Sequence, residues 1–321
     1  MNANKTALVL GANGGIGGEV ARSLVARGWQ VRALVRDPAR GGGIEGVQWL
    51  VGDALDRDAV VRAAQGAALI VHAVNPPGYR NWGTLVLPML DNSIAAARAS
   101  GARLLVPGTV YNYGSGTAQP LRETSAQRPS SRKGAIRVEM ERRLHASGVR
   151  TLVVRAGDFF GPRAGNNWFS QAMVKPGRAV RSIGHPGDAG VGHAWAYLPD
   201  LAETMVRLVE QEARLGVFET FHFRGHWDGD GSAMIEAIRA ACGDADIKAG
   251  RVPWIAFRLL APFVPLLREL LEMRYLWREP FELDNARLVA FLGYEPRTPL
   301  VQAVGETLAG LGCLPQAPCP A

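Results

Sequence analysis

Three glycines at a spacing of three, Gly11, Gly14 and Gly17, stand in the run Gly11-Ala12-Asn13-Gly14-Gly15-Ile16-Gly17. An apolar stretch at 7–10 precedes the run, and a segment of helical periodicity at 18–26 follows it. A strand turning tightly into a helix here brings backbone N–H groups and the positive helix end against phosphates. A side chain at the glycines would block that approach. Gly11, Asn13, Gly14, Gly15, Ile16 and Gly17 are therefore expected to cradle a dinucleotide pyrophosphate. A glycine triplet alone is weak evidence; its weight comes from its place at a first strand-to-helix turn.

The end of the second apolar run bears on which dinucleotide. Sites for NAD place an acid about 20 residues after the glycine turn, on the ribose hydroxyls. This chain has Val35-Arg36 there. A guanidinium can pair with a 2′-phosphate in two-pronged fashion, so NADP(H) is the expected cofactor, with NAD(H) allowed. Arg36 as a solvated residue is the plainer alternative, and Asp37 is expected to face away. Asp53-Ala54 closes the third run, where a carboxylate can accept from the adenine amine or simply cap the next helix.

The elements that would position these residues alternate. Apolar runs at 7–10, 31–35, 47–51, 69–74, 104–106 and 151–155 are separated by helical patterns at 18–26, 58–64, 86–99 and 136–147. Such alternation specifies an α/β fold: a Rossmann-type, doubly wound parallel sheet with right-handed crossovers. Residues 161–197, rich in Gly, Trp, Asn and His, read as loops. Residues 198–211 read as a helix, 218–223 as a candidate strand, and 284–311 as two short helices around a loop at 293–299. The expected division is a Rossmann domain over 1–163 with a return segment at 197–215. A smaller C-terminal substrate lobe is built from 164–196 and 216–321.

Composition excludes several classes. Over 321 residues, 47% hydrophobic and 20% charged, the chain reads as soluble and globular. Three cysteines, Cys242, Cys313 and Cys319, have no ligand spacing, which argues for a reducing compartment and against a disulfide framework or metal site. No basic-then-apolar leader opens the sequence, so a cytoplasmic location is expected. The net charge of +7 is carried by scattered arginines without aromatic interleaving, so no nucleic-acid partner is expected. The most apolar stretch, 252–277, is broken by prolines and charges and reads as amphipathic helices over a substrate pocket, not a membrane span. A membrane-surface helix is the less favoured alternative. A homodimer is compatible with this reading.

At this point the chain resembles the extended short-chain dehydrogenases/reductases, the NAD-dependent epimerase/dehydratase family. The glycine spacing and the Asp53 step match that family, and His72-Ala73-Val74 followed by Asn75 matches its fourth-strand segment under the cofactor. The segment ending Tyr113-Gly114 resembles the strand that carries the catalytic Ser/Thr, which implies that role for Thr109. Arg155-Ala156-Gly157-Asp158-Phe159-Phe160-Gly161-Pro162 resembles the lining of the nicotinamide pocket, with Ala156 toward the cofactor. Tyr197-Leu198-Pro199-Asp200 resembles the step that returns to the cofactor domain.

The departure lies in the family's Tyr-x-x-x-Lys. Aligning on Glu141 and Leu144 puts Lys133 at the Tyr and Arg137 at the Lys. The Tyr would normally pass a proton to the nascent alkoxide, its pKa lowered by the Lys. Arg137 can hold a ribose hydroxyl but holds its proton too tightly to shuttle it. Lys133 can act as acid or base if burial and Arg137 lower its pKa, or it is a solvated residue at a helix start. Strand alternation would put Thr109, Tyr111 and Tyr113 on one face, making Tyr111 a second proton donor. Asp158, Asn167, Trp168 and His193 are candidate substrate contacts, with Asn166 beside them; a structural role is the plainer reading of His193.

The leading expectation is an NADP(H)-dependent oxidoreductase acting on a small, apolar carbonyl, alcohol or activated alkene. Hydride would pass beside Thr109, and Lys133, Tyr111 or water would carry the proton. A non-catalytic NADP(H)-binding sensor or scaffold is the alternative that loss of the Tyr favours. A sugar-nucleotide epimerase or dehydratase is weaker, because such chemistry needs proton transfer at the missing Tyr.

Overall fold

The computed structural model describes residues 5–76, 81–165 and 167–314. The alternating runs become parallel strands β1 (Thr6–Leu10), β2 (Gln30–Val35), β3 (Val47–Val51), β4 (Leu69–His72), β5 (Arg103–Thr109) and β6 (Thr151–Ala156). With β10 (Phe218–His222) they form one sheet in the order β10-β6-β5-β4-β1-β2-β3. Strands β1, β4, β5 and β6 are buried along nearly their whole length because helices cover both faces of the sheet there. On one face pack α1 (Gly15–Ala26) and α5 (Leu198–Glu210). On the other pack α2 (Arg57–Ala63), α3 (Trp82–Ser100) and α4 (Arg132–Ser147). Strand order reverses between β1 and β4, so the carboxyl ends there open a crevice of the kind that takes dinucleotides.

A further core lies apart from the two that flank the sheet. It gathers Phe160, Trp168, Phe169, Trp195, Trp254 and Trp277 with α6 (Ala233–Cys242) and α10 (Leu300–Gly310). The tail forms two helices, α9 (Ala286–Leu292) and α10, around a loop, as its pattern suggests. Asp200 at the start of α5 accepts from the backbone N–H and hydroxyl of Thr298, at 2.7 and 2.8 Å, which ties this tail to the cofactor domain.

Three features differ from the sequence reading. Residues 161–197 are not all loop: β8 (Ser182–His185) pairs with the distant β12 (Lys248–Arg251). In the same stretch β9 (His193–Tyr197) lies between β7 (Asp158–Phe160) and β11 (His226–Asp228). All five residues of β9 are buried, so it shows no alternation, and the partner of β8 lies far along the chain. The cofactor domain also runs beyond residue 215, since β10 forms the sheet edge against β6. Finally, β5 ends at Thr109 and a 3₁₀ turn follows over Val110–Asn112. Strand alternation therefore stops there: Tyr113 is fully buried beside His222, while Tyr111 is half-buried and faces elsewhere.

The apolar 252–277 stretch folds as two short amphipathic helices, α7 (Trp254–Leu260) and α8 (Pro265–Glu272), then a 3₁₀ turn at Arg274–Trp277. Among the described residues no helix is long and apolar enough to cross a membrane.

Candidate active site

The glycine turn has the geometry a pyrophosphate needs. Gly11 sits at φ +93°, and a Cβ there would stand 2.5 Å from the Ala73 carbonyl oxygen. One on Gly17 would come within 2.2 Å of the Gly11 carbonyl oxygen. Both contacts are impossible for a side chain, so the turn lies directly against the ends of β1 and β4. Helix α1 starts at Gly15 with Gly14 as its cap, without a side-chain cap and without an acid in its first turn. Its first N–H groups and positive end are thus left for an anion. Asn13 and Gly14 are exposed, and Ile16 is buried beneath the turn. These residues fit a nicotinamide dinucleotide, which supplies or accepts a hydride when bound.

Around that turn, Arg36 is exposed at the end of β2, and Asp37 turns back to accept from the Ala39 N–H at 3.0 Å. No carboxylate of this pair needs to face a 2′-phosphate. Asp53 accepts from the Leu55 N–H at 3.0 Å, and the cap of α2 is instead Asp56. Ala54, buried beside it, offers its carbonyl to Asn92 at 2.9 Å. Ala73, Val74 and Asn75 follow β4, with the Asn75 side chain exposed toward α4.

Thr109 and Ala156 are register partners at the ends of β5 and β6. The Thr109 hydroxyl accepts from the Tyr111 N–H at 3.2 Å, which turns the chain so that Tyr111 points at β7. There the Tyr111 hydroxyl donates to one oxygen of Asp158 at 3.3 Å, and the other oxygen meets His193 Nε2 at 2.9 Å. Gly157 lets the strands approach this closely, since a Cβ there would stand 2.2 Å from the Ala194 oxygen. His193 Nδ1 faces the Leu276 carbonyl at 3.2 Å. Either ring nitrogen can carry the ring proton, toward the Leu276 carbonyl or toward Asp158. The imidazole stacks on Trp277 with ring centres 3.6 Å apart. Thr109, Tyr111, Asp158, Phe159, Asn167 and Trp168 line a small cavity of about 60 Å³. Asn167 also accepts from the Ser170 N–H at 2.9 Å, so its side chain shapes its own loop; Asn166 lies outside the described residues.

Helix α4 carries the other two candidates. Lys133 is buried, and its ammonium donates to Glu269 and to Glu272, the latter at 3.0 Å. Glu272 also accepts from the Lys133 N–H at 3.1 Å. Burial would raise the Glu272 carboxyl, but the Lys133 contacts outweigh it and hold that pKa below the ordinary range. Arg137, a turn further on, donates to Asn75 at 3.2 Å and lies over the Trp82 ring at 5.1 Å. That position at the end of β4 suits a ribose contact. It also explains His72, whose pKa is pushed down to about 3 by burial and then by Arg137.

Two features escaped the sequence reading. One is a buried network that fixes α4 on the sheet. Arg155 donates to both oxygens of Glu141 at 3.0 and 2.5 Å and to the Tyr113 hydroxyl, which also contacts His222. Burial pushes the Tyr113 hydroxyl up to about 12. The other is a cavity of about 550 Å³ along residues 171–184, which Lys175, Arg178 and Arg181 line with no acid among its walls. Lys-Pro-Gly-Arg-Ala-Val-Arg in a loop carries no periodic signal, and only the fold brings these cations round one hollow.

A family model described as NAD(P)H-binding matches residues 11–172, and the chain belongs to that family. It is an NAD(P)-binding protein of the oxidoreductase type with the fold of the extended short-chain dehydrogenases. It is 33% identical over 229 residues to a 3-diazoavenalumate denitrifying reductase of a Streptomyces species, covering 64% of this chain and 72% of the relative. It is 27% identical over 252 residues to a dTDP-4-dehydrorhamnose reductase of Burkholderia thailandensis, covering 76% and 82%. Among solved structures, the Bifidobacterium longum UDP-glucose 4-epimerase in complex with NAD+ and UDP superposes with a TM-score of 0.71. That match covers 96% of this chain and 97% of the epimerase at 14% identity, where the likeness shows the fold.

Proposed function

We propose that the protein is an NADP(H)-dependent reductase of a small carbonyl or activated alkene, with Tyr111 delivering the proton. The observation that carries this reading is the chain Tyr111–Asp158–His193 opening on the cavity beside Thr109. Thr109 orients the reacting oxygen, and the Tyr111 phenol hands it a proton as charge develops there. Asp158 holds the phenol in place, and His193 behind it is the return supply of the proton. Arg137 holds a ribose hydroxyl, and Arg36 pairs with the 2′-phosphate. Lys133 anchors α8 over the site, because two carboxylates already occupy its ammonium. The basic hollow along 171–184 favours a substrate with an acidic group over a wholly apolar one. Relatives whose names denote reductases agree with this direction of chemistry.

The test is NADPH oxidation, followed at the nicotinamide absorbance, across aldehydes, ketones and enoates with and without a carboxylate. Turnover that collapses in Tyr111→Phe while NADPH still binds supports the reading. NADPH binding with no turnover across the panel favours the sensor reading, for which the neutralised Lys133 at the family's Tyr position is the specific observation.

A further inference from the structure

We propose that the α7–α8 hairpin docks the protein on anionic phospholipid surfaces. Of the eleven large apolar side chains that stand strongly exposed among the described residues, five fall within ten positions: Ile255, Leu259, Leu260, Phe263 and Val264. Three of them are 79%, 71% and 82% exposed (Ile255, Leu259 and Phe263), far beyond what packing within this chain requires. The cause is the two-sidedness of the hairpin. Its inner face is anchored: Trp254 donates to the Pro186 carbonyl at 2.9 Å and packs on Trp168, and Ala261 and Leu270 are buried. Its outer face repeats Ile255, Arg258 and Leu259 at helical spacing, then ends in the Phe263–Val264 tip.

Charge identifies the occupant. The only acids between residues 252 and 278 are Glu269 and Glu272, and both turn inward onto Lys133. Arg258 and Arg268 stand exposed, with no carboxylate partner among the described residues. Among the described residues of the hairpin, the outward surface is thus an apolar tip whose exposed charges are arginines. Such a surface suits the headgroup boundary of an anionic bilayer, where apolar side chains enter and guanidinium groups meet phosphate. A second copy fits poorly, because a two-fold contact through this tip would set arginine against arginine. The inner face of the same hairpin packs on Trp168 of the candidate site, so docking would bring that site to the bilayer surface.

The test is co-sedimentation of the full chain with phosphatidylcholine vesicles, alone or containing about one-third phosphatidylglycerol. Binding at least tenfold stronger to the anionic vesicles, and weakened by salt of about 0.5 M, is the expected result. Leu259→Asp with Phe263→Asp should abolish binding, and Arg258→Ala or Arg268→Ala should each weaken it about fivefold. These side chains are exposed, so melting temperatures should not move. The arginine variants provide an independent arm should the double Asp variant fold poorly. Equal or absent binding to both vesicle types overturns the proposal. So does parental binding by the variants. A dimer that Leu259→Asp dissociates, without lipid binding, assigns the face to a second copy instead.

Discussion

The Tyr111 hydroxyl stands 3.3 Å from Asp158, the same carboxylate that His193 holds from the other side at 2.9 Å. A phenol fixed by a carboxylate, with an imidazole behind it, has the parts of an acid that can be recharged. Tyr111→Phe keeps the ring and removes the proton. Its turnover is expected to fall by about a hundredfold or more, the usual size of an acid–base contribution. NADPH affinity, measured by fluorescence titration, should stay the same because the glycine turn sets it. Full turnover in this variant removes Tyr111 from the chemistry.

Lys133 leads to a different expectation. Its ammonium is buried with Glu269 and Glu272, and removing one member of such a cluster leaves uncompensated charge. Lys133→Met should therefore destabilise the fold by on the order of 3 kcal/mol. Adding Glu269→Gln and Glu272→Gln to Lys133→Met should restore much of that loss, since no buried charge then stands alone. Chemical denaturation of the three proteins measures this. A Lys133→Met protein as stable as the parent, with turnover lost, would make Lys133 the proton donor and Tyr111 a bystander.

The difference between these two residues shows how much the sequence disclosed. The glycine turn was legible because its constraint is local: three glycines and the strand and helix on either side. Strands β1, β4, β5 and β6 were legible because burial on both faces writes near-continuous apolar runs. What the sequence concealed depends on distant segments. Lys133 meets α8 across more than 130 positions, and Arg155 reaches Glu141, Tyr113 and His222 from three other elements. Nor does alternation foretell that Thr109 ends its strand by accepting from Tyr111, separating Tyr111 from Tyr113.

Cofactor preference rests on Arg36. The guanidinium is exposed at the end of β2, and Asp37 is occupied by its own loop. NADPH is expected to bind more tightly than NADH. Arg36→Ala should cost about ten- to a hundredfold for NADPH, the worth of one charged pair with a phosphate, and little for NADH. Equal affinities in the parent protein would refute the assignment.

The basic hollow makes a prediction about substrate. Arg178→Ala and Arg181→Ala should each raise KM for a carboxylate-bearing substrate by about tenfold, the worth of one charge-assisted hydrogen bond. Turnover at saturation should be kept, because neither residue lies at Thr109 or Tyr111. Esters of the same substrates should be insensitive to both changes. Identical KM values for acid and ester would separate the hollow from the reaction.

Acid stability follows from three buried histidines. Burial, with Arg137, Arg155 and Arg297 respectively, pushes His72 and His222 down to about 3 and His226 down to about 4. In the unfolded chain each titrates near 6.5. Between those values the unfolded chain binds more protons than the folded one, so stability is lost as pH falls below about 6.5. Each histidine contributes up to about 1.4 kcal/mol per pH unit in that window. Burial raises Asp200 and Glu295, which gives the opposite sign, but that effect starts from unfolded values near 4. The interval from pH 6.5 to 5 therefore belongs mainly to the histidines. His226 is the one to replace, since neither ring nitrogen has a hydrogen-bond partner among the described residues. His226→Phe should melt at a higher temperature than the parent at pH 5, and the difference should shrink toward pH 7.5. A parent protein whose melting temperature is flat from pH 7 to 5 would show that these histidines are not held neutral.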